Sequence, residues 1–467
     1  MQKTKWRLFA RVACGAAIAL SPALNAHAQA AEKPTSYSPV VIREPFDSVV
    51  KRMSEKKPEI EKAQKAHLEL RYDLSDRPSA TAKMSRGKAV QEGVRIKLPE
   101  GVTWQQLGKM KPETIKEKGI FPVGMLPLPF PNHAEGGMLF PQHHIDEINK
   151  QEGRDLTRYD LDFDLPTQFL PEYPPAIFLS TRPDLGDVSQ GKVVTGMNYF
   201  ELFDGILNPK QLDGLRLLVT PFMQQQFNLT DDRRSLKPSR GVTCFDCHVN
   251  GHTNAATHLV GDIRPQELRH RIDTPSLRGV ASSRLFGSQR ALRSIEDFTE
   301  FEQRAAYFDG DQVTAAKKGV NILERGSQVH AMAELQSILD FPPAPKLDVY
   351  GKLDHSKATA SEKRGEALFF GKAKCSECHP APFYTDGQMH NLQAERFYKS
   401  QMVNGRLASA DGAIKTFALR GIKDSPPYLH DDRLLTLADT VEFFNLVLEL
   451  RLGEHEKADL VAFMLTL

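Results

Sequence analysis

Cys375-Ser-Glu-Cys378-His379, together with its earlier counterpart Cys244-Phe-Asp-Cys247-His248, decides how this chain is read. C-x-x-C-H is the attachment signature of c-type haem: two thiols add across the vinyl groups of one porphyrin, and the adjacent imidazole ligates its iron. One helical turn brings both sulfurs to the side facing the macrocycle and turns the next residue toward the metal. Two copies therefore imply two covalently bound c-type haems, held by Cys244, Cys247 and His248 and by Cys375, Cys378 and His379. A zinc site built from the four thiols gives no reason for a histidine to follow directly in both copies. A thioredoxin-like dithiol needs a βαβ setting, and none is apparent.

The start of the chain fits export. Met1-Gln-Lys-Thr-Lys-Trp-Arg precedes the apolar run Val12 to Leu20 and the small-residue stretch Ala26-His-Ala28-Gln-Ala30, which is the pattern of a secretory signal peptide over residues 1–30. The apolar run is too short to cross a bilayer as a helix, and no later run approaches 18 residues. Cys14 falls in this leader, with Arg11 arguing against a lipoprotein, so the mature chain keeps only the four motif cysteines and has no thiols for a disulfide. Losing Lys3, Lys5, Arg7 and Arg11 with the leader takes 61 basic residues to 57 against 59 acidic ones. That near balance excludes a nucleic-acid footprint. The expected location is the periplasm.

Residues 31–205 read as an N-terminal extension of unknown role. Its punctuation by proline, as in Phe121-Pro-Val-Gly-Met-Leu-Pro-Leu-Pro-Phe-Pro131 and Leu170-Pro-Glu-Tyr-Pro-Pro175, predicts extended chain wrapped on a surface. A charged helix is expected from about Phe46 to Leu70. His133 and the pair His143-His144 are metal-ligand candidates by type, with exposed polar histidines the commoner outcome. From about 206 the sequence turns globular, with a short helix at Gln211 to Leu218. A proline-rich linker, Phe341-Pro-Pro-Ala-Pro345 to Ser356, is followed by a capping box at Thr359 and Glu362 and a helix running to Phe370.

The second half repeats the first. Thr274-Pro-Ser-Leu-Arg-Gly-Val280 is echoed by Thr416-Phe-Ala-Leu-Arg-Gly-Ile422, and Ser294-Ile-Glu-Asp-Phe-Thr-Glu-Phe301 by Thr436-Leu-Ala-Asp-Thr-Val-Glu-Phe443, both 142 positions on. This is a tandem duplication. Leu437, Val441, Phe444 and Leu448 fall at helical spacing, as do Leu460, Met464 and Leu467. The expected fold is mainly α: two tandem cytochrome c-like helical haem domains, 206–345 and 346–467, behind a proline-rich, largely irregular extension.

Ala413-Ile-Lys-Thr-Phe-Ala-Leu-Arg-Gly-Ile422, Pro427-Tyr-Leu-His430-Asp-Asp, Gly365-Glu-Ala-Leu-Phe-Phe370, Phe383-Tyr-Thr-Asp386 with His390-Asn391, and Asp459-Leu-Val-Ala-Phe463 complete the pattern. With the two haem motifs, roughly residues 205 to 467 resemble the bacterial dihaem cytochrome c peroxidase family, including its methylamine-utilisation branch. The resemblance implies a periplasmic oxidoreductase in which one haem reduces hydrogen peroxide and the other takes electrons from a small cytochrome c or copper protein. It also implies a bound Ca2+, and a homodimer is an expected assembly. The chain departs from the family in three places. Phe444 stands where the family's C-terminal haem takes a Met or Tyr sixth ligand. Leu285-Phe-Gly-Ser-Gln-Arg290 lacks the tryptophan found between the family's haems. Glu300 and Glu302 lie near the place of the distal glutamate but out of register with it.

Candidates for the missing roles follow from residue type. His258 and His252, ten and four residues past His248 in a Gly/Ala/Thr loop, are sixth-ligand candidates for the first haem, against a bland reading as loop histidines. Met402 and Met389 are thioether candidates for the second, against a reading as core filler. His430 and His390 suit the haem edge. Arg278 and Arg420, equivalent in the repeat, suit haem propionates, with a surface ion pair as the alternative. Two other functions fit the same motifs: a dihaem electron carrier without peroxidase activity, and an oxygen-activating dihaem oxygenase.

Overall fold

The computed structural model describes residues 46–128, 138–157, 165–221, 242–260, 270–306, 322–400, 402–403, 406–407 and 412–467. The leader and His133 lie outside the described residues. Twelve helices are described: α1 Phe46–Arg71, α2 Trp104–Leu107, α3 Pro112–Lys118, α4 Gln142–Glu152, α5 Tyr199–Phe203, α6 Pro209–Leu218, α7 Cys244–Cys247, α8 Ile295–Ala306, α9 Ile322–Gln336, α10 Ala360–Phe369, α11 Leu437–Val447 and α12 Glu454–Met464. The strands are short: β1 Pro78–Lys83 with β2 Ala89–Gln91, β3 Met138–Leu139 with β4 Thr257–Val260 and β5 His270–Asp273, β6 Met389–Asn391 with β9 Ala413–Lys415, and β7 Met402–Val403 with β8 Arg406–Leu407.

The duplication is written into the backbone. α6 crosses α9 and α10 crosses α12, each crossing tight enough to need a glycine. A Cβ on Gly214 would strike the Ala331 carbonyl, and one on Gly365 the Asp459 carbonyl. The Phe286–Leu292 bridge recurs as Tyr428–Leu434, 142 residues on. Each half also donates into the other: the Asp273 amide to the His430 carbonyl at 2.8 Å, and the Lys415 amide to the Ser288 carbonyl at 2.9 Å. These two bonds are equivalent under the same 142-residue shift. Helix starts follow the sequence signals. Thr359 caps α10 in a capping box with Glu362, and Thr436 caps α11 with Asp439.

The N-terminal region departs from the expectation of a surface wrap. α1 is charged and mostly exposed, as expected, but its end is buried at Leu68, and beyond it the chain enters the cores. Leu68, Ile96, Leu107, Ile115 and Phe121 share one apolar cluster with Phe369, Leu434, Phe443 and Phe463 of the second half. Ile177, Leu202 and Phe203 share another with Leu215, Phe245 and Leu335 of the first, and Phe140, Ile148 and Leu156 pack with Val242 and Val249. Proline removes backbone donors, which forbids regular strand and helix, but it does not prevent the apolar residues between prolines from burying. Polar ties fix the same docking: the Asp439 carboxylate accepts from the Arg95 and Ile96 amides at 2.6 and 3.0 Å. The Tyr72 hydroxyl donates to the Arg433 carbonyl at 2.9 Å.

Candidate functional site

A single cavity of about 1070 Å³ has Cys244, Cys247 and His248 on its wall, and also Cys375, Cys378 and His379. In the first motif, α7 is one turn of helix. The Thr243 hydroxyl accepts from the Asp246 amide at 3.0 Å, and the Asp246 carboxylate accepts from the Thr243 amide at 2.7 Å. In the second motif, Cys375–Glu377 forms a 3-10 turn.

Both motif histidines are oriented in the same way. His248 Nδ1 lies 2.9 Å from the Pro275 carbonyl, and His379 Nδ1 lies 2.8 Å from the Tyr384 carbonyl. A carbonyl only accepts, so Nδ1 carries the proton and Nε2 is left as the donor atom toward a metal. Burial lowers the His248 imidazole to about 4, against the opposing Pro275 bond, and also lowers His379. Neutral rings suit iron ligation. Burial pushes the Cys375 thiol up to about 12 and raises Cys378 as well, the reverse of the lowered thiol of a redox dithiol.

These features fit haem. The cavity exceeds the usual upper size for a drug-sized site, about 1,000 Å³. Phe286, Phe298, Phe417, Leu419, Val441 and Leu460 give it an apolar wall. The residues that would hold the two groups are the four cysteines and the two oriented histidines. Arg278 and Arg420 both line the cavity, and both also bind protein oxygens. Arg278 pairs with Asp424 at 3.2 Å and donates to the Ala176 carbonyl, while its Nε is buried without a partner. That orphan donor suits a propionate oxygen. Arg420 Nε donates to the Leu467 carbonyl at 3.0 Å, and its guanidinium lies over the Phe341 ring.

The other candidates are distributed unevenly. His252 is withdrawn as an iron ligand: its Nε2 donates to the Asp424 carbonyl at 3.0 Å, which leaves Nδ1 to accept from the Ser276 hydroxyl at 2.7 Å. Thr253 and Asn254 beside it are buried, so this stretch of the loop is packed rather than open. His258 lies within β4, opposite Met138 and Ile272, and Met402 begins β7; the side chains of both fall outside the described residues. Met389 sits on β6 away from the cavity wall, whereas His390, 2.8 Å from Asp386, and His430 are on the wall. His144 corrects the expectation of a surface histidine. It is fully buried, 2.8 Å from the Tyr173 hydroxyl and 3.7 Å from Asp246. Among the described residues no group of three or more His, Cys, Asp or Glu side chains is arranged to hold a metal ion.

Of the two acid candidates on α8, Glu302 lines the cavity and Glu300 does not. In the 142-residue register Glu302 is the counterpart of Phe444, which also lines the cavity from α11. The same register pairs Asp273, last residue of β5, with Lys415, last residue of β9, and both line the cavity. Sequence reading overlooked these pairs, although the echo used to detect the duplication was enough to find them. It also missed the Asp246 site, whose partner Arg154 is 92 residues away and binds it through two nitrogens at 2.8 and 3.0 Å.

No family model matches the chain. Among curated proteins, it is 31% identical over 151 residues to methylamine utilization protein MauG of Methylorubrum extorquens, covering 29% of this chain and 42% of that one. It is 29% identical over 175 residues to cytochrome-c peroxidase IdrP2 of Pseudomonas sp. (strain SCT), covering 30% of this chain and 47% of that one. The match thus spans under half the length of these relatives. Among solved structures, a MauG-like protein associated with microbial copper homeostasis covers 56% of this chain at 18% identity and a TM-score of 0.37. The diheme peroxidase BthA of Burkholderia thailandensis covers 55% at 16% and 0.34.

Proposed function

We propose, from the premise that this chain is a relative of the dihaem cytochrome c peroxidase family, that it is an exported, periplasmic c-type cytochrome that reduces hydrogen peroxide. Residues 206–345 and 346–467 are its two haem-bearing halves. The haem of His248 is the peroxide site, and electrons enter at the haem of His379 from a small cytochrome c or copper protein. One observation carries the reading: a single cavity has both motifs on its wall, with an acid and a phenyl ring, Glu302 and Phe444, at equivalent places.

When bound, the haems supply one-electron redox chemistry at iron. The protein supplies the rest. His248 and His379 are held by the Pro275 and Tyr384 carbonyls, which fixes ring orientation and tautomer. Hydrogen peroxide leaves as two waters after taking two electrons and two protons, and the Glu302 carboxyl is the group on the first half's wall that relays a proton. Phe444 has no donor atom, so it neither ligates nor relays.

The test is made on the matured protein. Denaturing mass spectrometry should find the chain with two haems, and with one after Cys375→Ala with Cys378→Ala. Mixed with peroxide and a reduced small cytochrome c, the protein should oxidise two cytochromes per peroxide. Two haems without peroxide consumption in any redox state would make it an electron carrier, and consumption of dioxygen in place of peroxide would make it an oxygenase.

A further inference from the structure

The strand end that precedes each Thr-x-x-Leu-Arg-Gly segment is a functional position in both halves. Pro275, two residues past Asp273, presents the carbonyl that holds His248. Phe417, two residues past Lys415, presents backbone to the His379 ring. Positions 273 and 415 are thus equivalent in the repeat, in their cross-half amide bonds and in lying two residues before the backbone group that meets a motif histidine. Their side chains differ completely: an acid in the first half, an ammonium in the second.

Lys415 is 5% exposed, on the wall of the shared cavity. Its Nζ donates to the Leu285 carbonyl at 2.8 Å and lies 5.7 Å from the Phe286 ring centroid and 5.4 Å from that of Phe417. Among the described residues no carboxylate pairs with it. A buried cation without a counter-charge is costly. Burial, with Arg290 adding to it, pulls the Lys415 ammonium down to about 8, so it still carries its charge at pH 7. The first half has an acid at this place, Asp273, whose carboxyl burial drives well above the ordinary carboxylate value.

We infer that Lys415 makes the haem of His379 the higher-potential one of the pair, its buried positive charge favouring the state that has gained an electron. The inference rests on the two-haem reading above and deepens it by naming a residue that sets the direction of electron flow. The step is a plain one-electron transfer from the external donor, with no bond made or broken. A fixed charge acting through a low-dielectric wall is screened far less than one on the surface. A purely structural role, stapling the Leu285 turn, is the competing account. The two separate because Gln keeps a hydrogen-bond donor and drops the charge, whereas Arg keeps both.

The experiment is a spectroelectrochemical titration of the two-haem protein, wild type against Lys415→Gln and Lys415→Arg, with haem count checked by mass spectrometry. In Lys415→Gln the higher of the two potentials should fall by about 59 mV, a tenfold change in the one-electron equilibrium constant. The lower should stay within a threefold change, and Lys415→Arg should stay within a threefold change of wild type at both. A higher potential that does not move in Lys415→Gln, a lower one that moves equally, or an Arg variant that shifts as far as the Gln one overturns the inference. A wild type that lacks two haems or does not consume peroxide brings down the proposed function instead. A wild type that passes both checks, with Lys415→Gln unmoved, brings down this inference alone.

Discussion

The two halves of the molecule share a scaffold and differ in what they place on it. Both cross two helices over a glycine, both end a strand at the position before Thr-x-x-Leu-Arg-Gly, and both orient a motif histidine with a backbone carbonyl. The contents diverge at equivalent places. Glu302 has Phe444 as its counterpart, Asp273 has Lys415, and inside the motifs buried Asp246 corresponds to exposed Glu377. Duplication supplies two equivalent stretches of wall around one cavity, and on the proposed function the different residues at matching places divide the labour. The first half has acquired a carboxyl suited to proton transfer and a heavily braced motif. The second has a cation and a phenyl ring at those places, and its motif exposes Glu377.

The largest test of this asymmetry exchanges what lies at the 302/444 position. Glu302→Gln keeps the shape and removes the proton carrier, so peroxide turnover should fall by about 10²- to 10⁴-fold with both haems retained by mass. Turnover within twofold of wild type would remove Glu302 from the mechanism. Phe444→Met restores a thioether in the second half, and electron paramagnetic resonance of the oxidised protein should show a gain in low-spin signal. An unchanged spectrum would mean that position 444 does not reach the iron.

The next effect is thermodynamic and concerns the motif aspartate. Burial pushes the Asp246 carboxyl up, but the His144 ring beside it and the Arg154 guanidinium bound to it outweigh burial and hold the group at about 2. Removing the Arg154 guanidinium leaves a buried carboxylate short of its main partner, a change that costs about 3–5 kcal/mol. Arg154→Ala should show that loss by chemical denaturation of the haem-loaded protein. Glu377→Ala, on the exposed counterpart, should stay within about 0.5 kcal/mol. The sign with pH follows from the lowered value. Asp246 stabilises the fold above the unfolded carboxylate value near 4, and its contribution is lost as pH falls from there toward 2. Arg154→Ala should flatten that acid limb, and a limb as steep as wild type would show that the pair is not its source.

How far the sequence reveals all this depends on the distance over which each feature is determined. The motifs, the Thr359 and Thr436 caps and the 142-residue echo are set by neighbours, and all are readable. α1 and α6 are likewise found within a residue or two of their expected spans. His252 is a different case. Nothing nearby announces that its nitrogens are taken by Ser276 and by the Asp424 backbone, 172 residues away. The segment before 205 misleads because proline obscures the periodicity that usually marks burial. Phe121 and Phe169 lie in the core without belonging to any amphipathic pattern. Asp273 and Lys415 lie between these extremes, with positions fixed by the echo and a burial visible only once the halves are docked.

The smallest expected effect tests the shared scaffold itself. Gly214 and Gly365 stand at helix crossings where a methyl group would meet the carbonyl of Ala331 or Asp459, which is backbone and cannot swing away. Neither glycine has the positive φ that would demand glycine for conformational reasons, and in an open helix alanine would be favoured by about 1 kcal/mol. Steric conflict should therefore outweigh propensity at both sites, with a cost of about 1–3 kcal/mol as the helices separate. Because the second crossing packs Phe369 against Phe463 at 5.3 Å, Gly365→Ala should disturb the His379 side first and Gly214→Ala the His248 side. Denaturation followed at each haem's own absorbance should show each variant lowering the midpoint of its own half. If both variants lower the two midpoints equally, the halves unfold as one cooperative unit, and the duplicated crossings are joined more tightly by the N-terminal packing than the repeat implies.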